Sequence, residues 1–354
     1  MANTYRVAFI GTGRPWGHEG RTGFGMAYEH AHGYIASKRC ELVAAADIVE
    51  ANARAFADHF GFATIYTDYK KMLKEIQPDI VSISTWPHLH CEMVVQTAKS
   101  KGLKAIHCEK PMAPTWGEAQ KMAAACEKAG VQLTFNHQRR FLEPFRMARE
   151  MAHDGTIGEL VRLEGACADE IDWGTHWLDM FGFYNNETPA KWVMAQIHSV
   201  QERKIFGLDT TNQGLIEIMY ENGVRGLLFT GWDNDIGAMN RLMGTEGYID
   251  LCDEQPHLRV RGKRSATLKG IKTKQGLHGG VVEAVIDAVA ALDEKREPEL
   301  SAARALKATE VIFAAYESSR SRGRVDLPLK KKDSAYLSMI ASGDLKLAKP
   351  KPKE

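Results

Sequence analysis

The chain has 354 residues, of which 44% are hydrophobic and 26% are charged, a length and balance typical of a globular protein with two domains. Its 46 Lys and Arg residues nearly equal its 45 Asp and Glu residues, so the formal net charge of +1 argues against nucleic acid or an anionic membrane surface as a partner. The six cysteines are scattered and contain no CxxC pair, which favours free thiols in a reducing compartment over a disulfide framework or a zinc site.

The sequence carries no signal for export or for a membrane. A strand-like run over 5–10 begins soon after Met1, without the charged segment and apolar stretch of a signal peptide. No apolar run reaches the length of a transmembrane helix. We therefore expect a cytoplasmic protein.

The first 135 residues alternate short apolar runs with helical patterns. Strands are predicted over 7–10, 42–46, 80–83, 104–107 and 132–135. Helices are predicted from a glycine-rich turn to about residue 37 and then over 50–60, 68–75, 90–100 and 116–129. This alternation predicts an α/β domain with a doubly wound parallel sheet, covered by helices on both faces.

The pattern changes after residue 136. A helix is predicted over 141–154, and strands over 160–166, 193–199, 212–219, 226–230, 240–244 and 258–260. Because few helices separate these strands, and because Asn222-Gly223 favours a hairpin, we expect a largely antiparallel sheet. Two helices follow over 280–293 and 302–319, and the Lys/Pro-rich tail over 346–354 is expected to be poorly ordered.

A nucleotide-binding pattern begins directly after the first strand. Gly11-Thr12-Gly13 permits a tight turn whose backbone amides can approach a pyrophosphate. A long insert follows, and either Gly25 or Ala27 takes the place of the usual third glycine. Asp47 ends the second strand, where a dinucleotide site needs a carboxylate for the ribose hydroxyls, or else it caps the next helix. A carboxylate there repels a 2′-phosphate, so we expect NAD in preference to NADP.

Three further segments offer groups for chemistry. Thr85-Trp86-Pro87-His88-Leu89-His90 and Glu109-Lys110-Pro111 follow the third and fourth strands, so both fall on the cofactor side of the sheet. Asp172 and His176 share one face if their segment is helical. Taken singly, each segment also fits an ordinary turn or a structural helix pair.

Taken in order, these segments resemble the Gfo/Idh/MocA oxidoreductases, which include glucose–fructose oxidoreductase and inositol 2-dehydrogenase. The resemblance covers nearly the whole chain, and the segments Ala315-Tyr316-Glu317-Ser318 and Val325-Asp326-Leu327-Pro328 also carry it. It implies a Rossmann domain over 1–136, a second α/β domain over 137–330 for substrate and for dimer or tetramer contacts, and an extension over 331–354.

The resemblance also implies that Lys110, Asp172 and His176 match the catalytic positions of the family. Oxidation of a secondary alcohol needs a base for the hydroxyl proton, and an imidazole suits that task. Asp172 then orients the ring or contacts a substrate hydroxyl, while Lys110 stabilises the developing alkoxide and positions the nicotinamide ribose. Gly11, Thr12, Gly13, Asp47, Thr85, Trp86, His90 and Glu109 complete the expected cofactor site, although His90 equally suits a core or capping role.

Candidates for the substrate are fewer and less specific. The insert from Arg14 to Met26 departs from the family pattern and offers Trp16, with His18, Glu19 and Arg21, as neighbours of the active site. Trp173 suits the apolar face of a sugar but also suits a core. Arg140 lies at the predicted domain junction, where it either binds a substrate oxyanion or forms a salt bridge between domains. No metal site is expected.

Three functions fit these observations. The first is an NAD-dependent oxidoreductase that acts on a secondary hydroxyl or ketone of a sugar, cyclitol or related polyol. The second is a redox-neutral glycosidase that oxidises its sugar transiently and eliminates the aglycone, with His18 and Glu19 available as an added acid or base. The third is a non-catalytic dinucleotide sensor, which would have no need of Lys110, Asp172 and His176.

Overall fold

The structure is a computed structural model that describes residues 4–15, 17–19, 23–232, 234–252, 255–260 and 279–349, with only the backbone described at 252 and 255–260. These residues form two compact units. The first consists of the chain up to Ala113, together with Glu118–Gln138 and Gly280–Ala305. The second consists of Pro114–Gly117, of the chain from Arg139 towards Gly279, and of the chain from Leu306 onwards.

The first unit contains a six-stranded parallel sheet in the order β3-β2-β1-β4-β5-β6. Its strands are β1 (Tyr5–Ile10), β2 (Cys40–Ala46), β3 (Ile65–Tyr66), β4 (Ile80–Ile83), β5 (Ala105–Cys108) and β6 (Gln132–Phe135). The doubly wound parallel sheet is therefore confirmed. Because the strand order reverses at β1 and β4, the carboxyl ends of these two strands mark the crevice in which such sheets bind ligands.

Five helices alternate with these strands: α1 (Met26–Ala36), α2 (Glu50–Phe60), α3 (Tyr69–Ile76), α4 (Pro87–Thr97) and α5 (Trp116–Ala129). The fourth begins three residues earlier than predicted because Pro87 occupies its first turn, where the missing N–H has no partner to lose. Phe9 of β1 packs on Phe56 of α2 at 4.9 Å between ring centroids, in an apolar cluster buried beneath the sheet. Burial of such rings stabilises this face of the sheet.

The second unit is built on an eight-stranded sheet within the described residues, in the order β15-β14-β13-β7-β12-β11-β8-β16. A 3₁₀ turn (Gln138–Phe141) precedes it, and its first elements in the chain are α6 (Glu143–His153), β7 (Leu160–Cys167), α7 (Trp173–Tyr184), β8 (Ala190–His198), β9 (Lys204–Ile205) and β10 (Leu208–Asp209). Its remaining strands before the last helices are β11 (Gln213–Tyr220), β12 (Arg225–Gly231), β13 (Asn240–Gly244), β14 (Gly247–Cys252) and β15 (Gln255–Val260).

The largely antiparallel character of this sheet is confirmed. Strands β11 and β12 form the hairpin predicted at Asn222-Gly223, where Gly223 takes the left-handed conformation with φ 87°. Every described pair of neighbouring strands is antiparallel except β12 and β7, which run parallel. Their side chains alternate, so one face of the central strands is buried against the core of the unit and the other is left partly exposed.

The chain ends in α8 (Val281–Glu294), α9 (Ala302–Ser321), β16 (Val325–Asp326) and α10 (Ala335–Ser342). Helix α8 returns to the first unit and packs on α1, where a Cβ on Gly33 would lie only 2.6 Å from Cβ of Val285. Helix α10 was not predicted from the sequence; Ser334 caps it by accepting a hydrogen bond from the N–H of Leu337. The expected disorder of the tail is wrong for its first residues, since Ala348 pairs with Gln201. The residues from 350 onwards lie outside the described part of the chain.

Candidate functional site

The glycine-rich turn and Asp47 form one hydrogen-bonded unit at the carboxyl ends of β1 and β2. Oδ2 of Asp47 accepts hydrogen bonds from the N–H of Thr12 at 2.9 Å, the hydroxyl of Thr12 at 3.1 Å and the N–H of Gly13 at 3.0 Å. Oδ1 accepts the N–H of Val49 at 2.9 Å, so the carboxylate also caps the start of the next segment. Asp47 thus fixes the glycine-rich turn and accepts the N–H of Val49, the residue at the start of α2, while its predicted role towards the ribose hydroxyls stays a prediction.

Gly11 allows the loop after β4 to pack close to the loop after β1 because it lacks a side chain. A Cβ at this position would lie 2.5 Å from Cγ2 of Thr85 and 3.0 Å from the backbone oxygen of Ser84, and its φ of 79° is left-handed. Only a glycine at position 11 therefore permits the loops after β1 and β4 to lie this close together. This cradle at the reversal point of the sheet fits a dinucleotide, whose pyrophosphate needs close backbone approach.

At Gly25 the chain lies beside Arg14, the first residue of the insert after Gly13. A Cβ on Gly25 would lie 2.5 Å from the backbone oxygen of Arg14, and its φ is 67°. Gly25, directly before α1, therefore meets the requirement for a glycine that a third position imposes, while Ala27 is a buried residue inside the helix. Glu19 and His18 are exposed, and Trp16 and Arg21 lie outside the described residues.

His90 ties the loops after β4 and β5 together. Its Nε2 lies 3.1 Å from the backbone oxygen of Thr85, and its Nδ1 lies 3.0 Å from that of Pro111. The ring is fully buried, and burial lowers the pKa of His90 although the carbonyl oxygens around it favour the charged form. Because both ring nitrogens face backbone oxygens, we treat His90 as a support for Thr85 and Pro111 and not as a cofactor ligand. Trp86, by contrast, is exposed at the start of α4.

Glu109 is the centre of a buried polar cluster beneath Lys110. Its Oε1 lies 3.0 Å from Nε2 of His30 and accepts a hydrogen bond of 2.7 Å from Nδ2 of Asn136. Its Oε2 accepts the backbone N–H of Lys110 at 3.2 Å. Burial raises the pKa of the Glu109 carboxyl, but the hydrogen bond and charge of His30 outweigh burial and bring the value to about 2. Glu109 is therefore an ionised internal support, and Lys110, which is half-buried, follows it directly.

Sequence reasoning missed His30 as a partner of Glu109. His30 belongs to α1 and its ring is fully buried, with Nδ1 at 2.8 Å from Oγ of Ser82 in β4. His107 packs against it at 4.5 Å between ring centroids, and burial lowers the pKa of His107 well below its usual value. A histidine inside a helix pattern carries no sign of its partner, since His30 and Glu109 are 79 residues apart.

Helix α7 presents Asp172 and His176 in the second unit. Asp172 is the residue at the start of the helix, and His176 lies one turn further along the same face. Both are largely buried, at 8% and 4% exposure. The Asp172 carboxylate does not cap the helix. The i, i+4 arrangement expected from sequence is therefore present.

Arg139 packs against two tryptophan rings of α7. The guanidinium carbon of Arg139 lies 4.8 Å from the ring centroid of Trp173 and 4.3 Å from that of Trp177. Burial lowers the pKa of Arg139 to about 10, and the nearby carboxylate of Asp172 partly opposes this. Trp173 is half-buried, so one side of its ring is occupied by Arg139 while part of the side chain remains accessible.

Arg140 is committed to a buried ion pair inside the second unit. Its Nε lies 2.7 Å from Oδ2 of Asp179 and its Nη2 lies 2.9 Å from Oδ1, and Nη1 lies 2.5 Å from Oε1 of Glu187. Burial lowers the pKa of Arg140, but the charges of Asp179 and Glu187 outweigh it and raise the pKa above its usual value. Because these donors are directed at two carboxylates of the same unit, Arg140 forms a salt bridge within the second unit instead of one between domains, and it is not proposed as a substrate ligand.

Two buried carboxylates precede Asp172 and were not singled out from the sequence. Asp169 and Glu170 are almost completely inaccessible, at 1% and 0% exposure. Glu170 accepts hydrogen bonds from the hydroxyls of Thr211 at 2.5 Å and Thr230 at 2.6 Å. Acidic residues beside Asp172 are visible in the sequence, but whether they are buried depends on strands that follow much later. In the described residues, no group of three or more His, Cys, Asp and Glu side chains could hold a metal ion.

Comparisons with known proteins place this geometry in a family. The profile described as an oxidoreductase family with an NAD-binding Rossmann fold matches residues 5–137. The chain is 26% identical over 349 residues to D-apiose dehydrogenase of Paraburkholderia graminis, covering 89% of this chain and 90% of that protein. It is 30% identical over 243 residues to Myo-inositol 2-dehydrogenase of Thermotoga maritima, covering 60% of this chain and 71% of that protein. An oxidoreductase from Agrobacterium radiobacter, solved with NAD+, L-tartaric acid and magnesium, has the same fold with a TM-score of 0.75 at 19% identity, covering 92% of this chain and 98% of that one.

Proposed function

The chain belongs to the Gfo/Idh/MocA oxidoreductase family, and from this premise we propose that it is an NAD-dependent dehydrogenase of a secondary hydroxyl group on a sugar, cyclitol or related polyol. The observation that carries the proposal is the start of α7, where Asp172 and His176 lie one turn apart on one face of the helix and are both largely buried. This arrangement sets a carboxylate and an imidazole side by side, a pair suited to moving the proton of a hydroxyl group.

The first unit supplies the residues that would hold the cofactor. Gly11, Thr12 and Gly13 would face the pyrophosphate, and Asp47 would accept the ribose hydroxyls, with Thr85 and Trp86 beside them. The cradle at Gly11 and the fixed carboxylate of Asp47 support this assignment. NAD, when bound, supplies the acceptor for the hydride of the alcohol.

The hydroxyl proton of the substrate is removed by side chains of the protein. We assign His176 as the base that accepts the hydroxyl proton, because an imidazole titrates near neutral pH. Asp172 orients that ring or contacts a neighbouring hydroxyl, and Lys110 stabilises the negative charge that develops on the oxygen. Glu109 supports the backbone of Lys110 from below, through the hydrogen bond that it accepts. Trp173 is proposed as an apolar surface for the substrate.

Reduction of NAD at 340 nm with a panel of sugars, cyclitols and glycosides tests the proposal. Lys110→Ala and His176→Ala are expected to lower kcat by about 10²-fold or more, as loss of acid–base or electrostatic help does, while the Kd for NAD changes little. Lys74→Ala and His32→Ala are matched controls, since both side chains are exposed in the first unit. Turnover at the control level in both active-site variants would overturn the assignment. Glycoside cleavage without accumulation of NADH would instead favour the redox-neutral glycosidase.

We also propose that the protein is a homodimer or homotetramer that associates through the outer face of the second sheet. Met194 of β8 and Leu215 of β11 are 51% and 47% exposed there, and Leu227 and Phe229 of β12 are only partly buried. Exposed apolar patches of this kind mark contact surfaces. A cytoplasmic location is proposed as well, and the five cysteines whose side chains are described are all free thiols. None of the described helices is long and apolar enough to cross a membrane.

A further inference from the structure

Arg14, the first residue of the insert, brings a positive charge to the glycine-rich turn of the first unit. Its Nε donates a hydrogen bond to Oδ1 of Asn52 at 3.1 Å, and its Nη1 donates one to the backbone oxygen of Glu19 at 2.8 Å. Both acceptors are uncharged. Among the described residues, no carboxylate pairs with this guanidinium and no atom accepts a hydrogen bond from its Nη2. The side chain is therefore held in place by two neutral oxygens, with a donor left over.

The guanidinium of Arg14 lies beside the start of α2, on the same side of the turn as Asp47. Asp47 follows β2 and accepts the N–H groups of Thr12 and Gly13. Arg14 comes directly after Gly13, and its partner Asn52 is the third residue of α2. The tyrosine Tyr28 of α1 reports both charges: burial is the main cause of its raised pKa, the charge of Arg14 opposes the rise and that of Asp47 adds to it. Because Coulomb interactions weaken with distance, both groups lie near this one hydroxyl.

The two charges suit different forms of the nicotinamide cofactor. In a fold of this kind, the carboxylate after the second strand accepts the hydroxyls of the adenosine ribose. NAD has a hydroxyl at the 2′ position and NADP has a phosphate there. A carboxylate binds the hydroxyl and repels the phosphate, whereas the planar fork of an arginine matches the phosphate. We propose that Arg14 is a latent ligand for the 2′-phosphate of NADP, and that the charge of Asp47 keeps the site selective for NAD.

Asp47 prevails over Arg14 because its carboxylate cannot move away from a phosphate. Hydrogen bonds from Thr12, Gly13 and Val49 hold both of its oxygens. A 2′-phosphate meets this fixed negative charge at close range, so Arg14 alone does not make NADP a good cofactor. The inference rests on the proposed function, because it uses the same cofactor site, and it adds a residue of the insert to the choice between the two cofactors.

A role as a clamp for the insert does not account for the charge of Arg14. The two acceptors are an amide oxygen and a backbone oxygen, and the neutral amide of a glutamine also donates to such atoms. The substitution Arg14→Gln therefore separates the two roles, since it keeps a donor and removes the charge.

Titration of NADH and NADPH by their own fluorescence tests the proposal, because the two cofactors differ only in the 2′-phosphate. Asp47→Asn is expected to lower the Kd for NADPH by at least about tenfold relative to the parent, since a repulsive charge is removed. Arg14→Gln in that background is expected to raise the Kd for NADPH by about 10- to 100-fold, the loss of a hydrogen bond between charged groups. The Kd for NADH should change by less than about threefold on this second substitution.

Arg54→Gln is the matched control. Arg54 lies on the same helix as Asn52, and its Nη1 donates to the backbone oxygen of Ala63 at 3.2 Å on the exposed surface. It should change the Kd for either cofactor by less than about threefold. Arg14→Gln in the parent is a second arm that does not depend on Asp47→Asn: it should weaken NADPH binding and leave NADH binding unchanged. An effect of Arg14→Gln that is equal for the two cofactors, or absent for NADPH, would overturn the proposal.

These measurements need binding only, so their outcome is separate from that of the proposed reaction. A parent that binds NADH but oxidises no polyol overturns the proposed dehydrogenase and leaves the role of Arg14 to be decided by the NADPH titrations. A parent that binds neither cofactor refutes both the cofactor site and this inference. If polyols are oxidised with NAD while NADPH affinity does not respond to Arg14→Gln, the dehydrogenase stands and this inference fails.

Discussion

Nε2 of His30 lies 3.0 Å from Oε1 of Glu109, and this contact joins the helix that follows the glycine-rich turn to the residue that precedes Lys110. Both groups are buried, and Asn136 supplies a second donor to the same oxygen. The geometry of Lys110 therefore depends on α1, although nothing in the local sequence of either segment connects them. The pair also stabilises the fold, and this contribution depends on pH through the ionisation of Glu109.

Glu109→Gln is expected to lower the free energy of unfolding at pH 7 by roughly 3 kcal/mol, since the pKa of Glu109 lies near 2 instead of its ordinary 4.5 and each unit corresponds to about 1.4 kcal/mol. A depressed carboxyl pKa stabilises the fold above pH 4.5, and this contribution is lost as the pH falls towards 2. The difference between parent and variant should therefore shrink by roughly 1 kcal/mol between pH 7 and pH 3.5.

Urea unfolding at the two pH values measures this effect. Glu92→Gln is the control, because the Glu92 carboxylate pairs with Lys70 on the surface of α4 and is mostly exposed. A difference for Glu109→Gln that is the same at pH 7 and pH 3.5 would contradict an ionised Glu109.

The ion pair of Arg140 with Asp179 leads to a different expectation. Asp179→Asn removes one of the two carboxylates that pair with the buried Arg140 and leaves Glu187 in place, so it is expected to lower the free energy of unfolding by about 2–3 kcal/mol. Replacing both partners by apolar residues of similar size should cost less than either single change. Arg149→Met is the control, since Arg149 contacts Asn186 at the exposed surface. Denaturant unfolding checks this, and a double variant as unstable as the worse single variant would argue against a buried pair.

The alternation of strands and helices in the first unit was predictable because its causes are local. Strands β1 and β4 are almost wholly apolar, and a central strand of a parallel sheet must be so because both its faces are covered. Strand β3 was not predicted because its two residues, Ile65 and Tyr66, are too few to show the alternation of buried and exposed side chains. The close approach of Gly11 to Ser84 depends on the pairing of β1 with β4, which local sequence patterns do not contain.

The candidate site divides in the same way. The spacing of Asp172 and His176 predicted their common face, because a helix repeats every 3.6 residues. The partners that hold the site were not predictable: His30 lies 79 residues from Glu109, and Arg140 lies 39 from Asp179. Sequence spacing predicts which residues share a face and can react together, whereas long-range packing decides which residues have a structural role. Arg140 and His90 belong to the second group.

Asp47→Asn tests the cofactor half of the site. The carboxylate holds the amides of Thr12 and Gly13 and is the proposed acceptor for ribose hydroxyls, so its neutralisation is expected to raise the Kd for NADH by about tenfold, the loss of one charge-assisted hydrogen bond. Titration of NADH fluorescence measures this. Asp68→Asn is the control, because Asp68 caps α3 in the same manner on the surface of the unit. Unchanged NADH affinity in Asp47→Asn would remove Asp47 from the proposed site.

Leu215→Glu tests the proposed association of copies through the second sheet. Leu215 is 47% exposed on β11, and Phe229 is its partner across the strand pair, so a carboxylate there would place a charge at the centre of the apolar face. Sedimentation equilibrium is expected to give a dimer or tetramer for the parent and at least a tenfold weaker association for the variant, since one buried unpaired charge costs more than the 1.4 kcal/mol that a factor of ten represents. Ile35→Glu is the control: Ile35 is similarly exposed, at 49%, but lies on α1 of the first unit. A monomeric parent would refute the proposed oligomer outright, and a variant that associates as tightly as the parent would place the contact elsewhere.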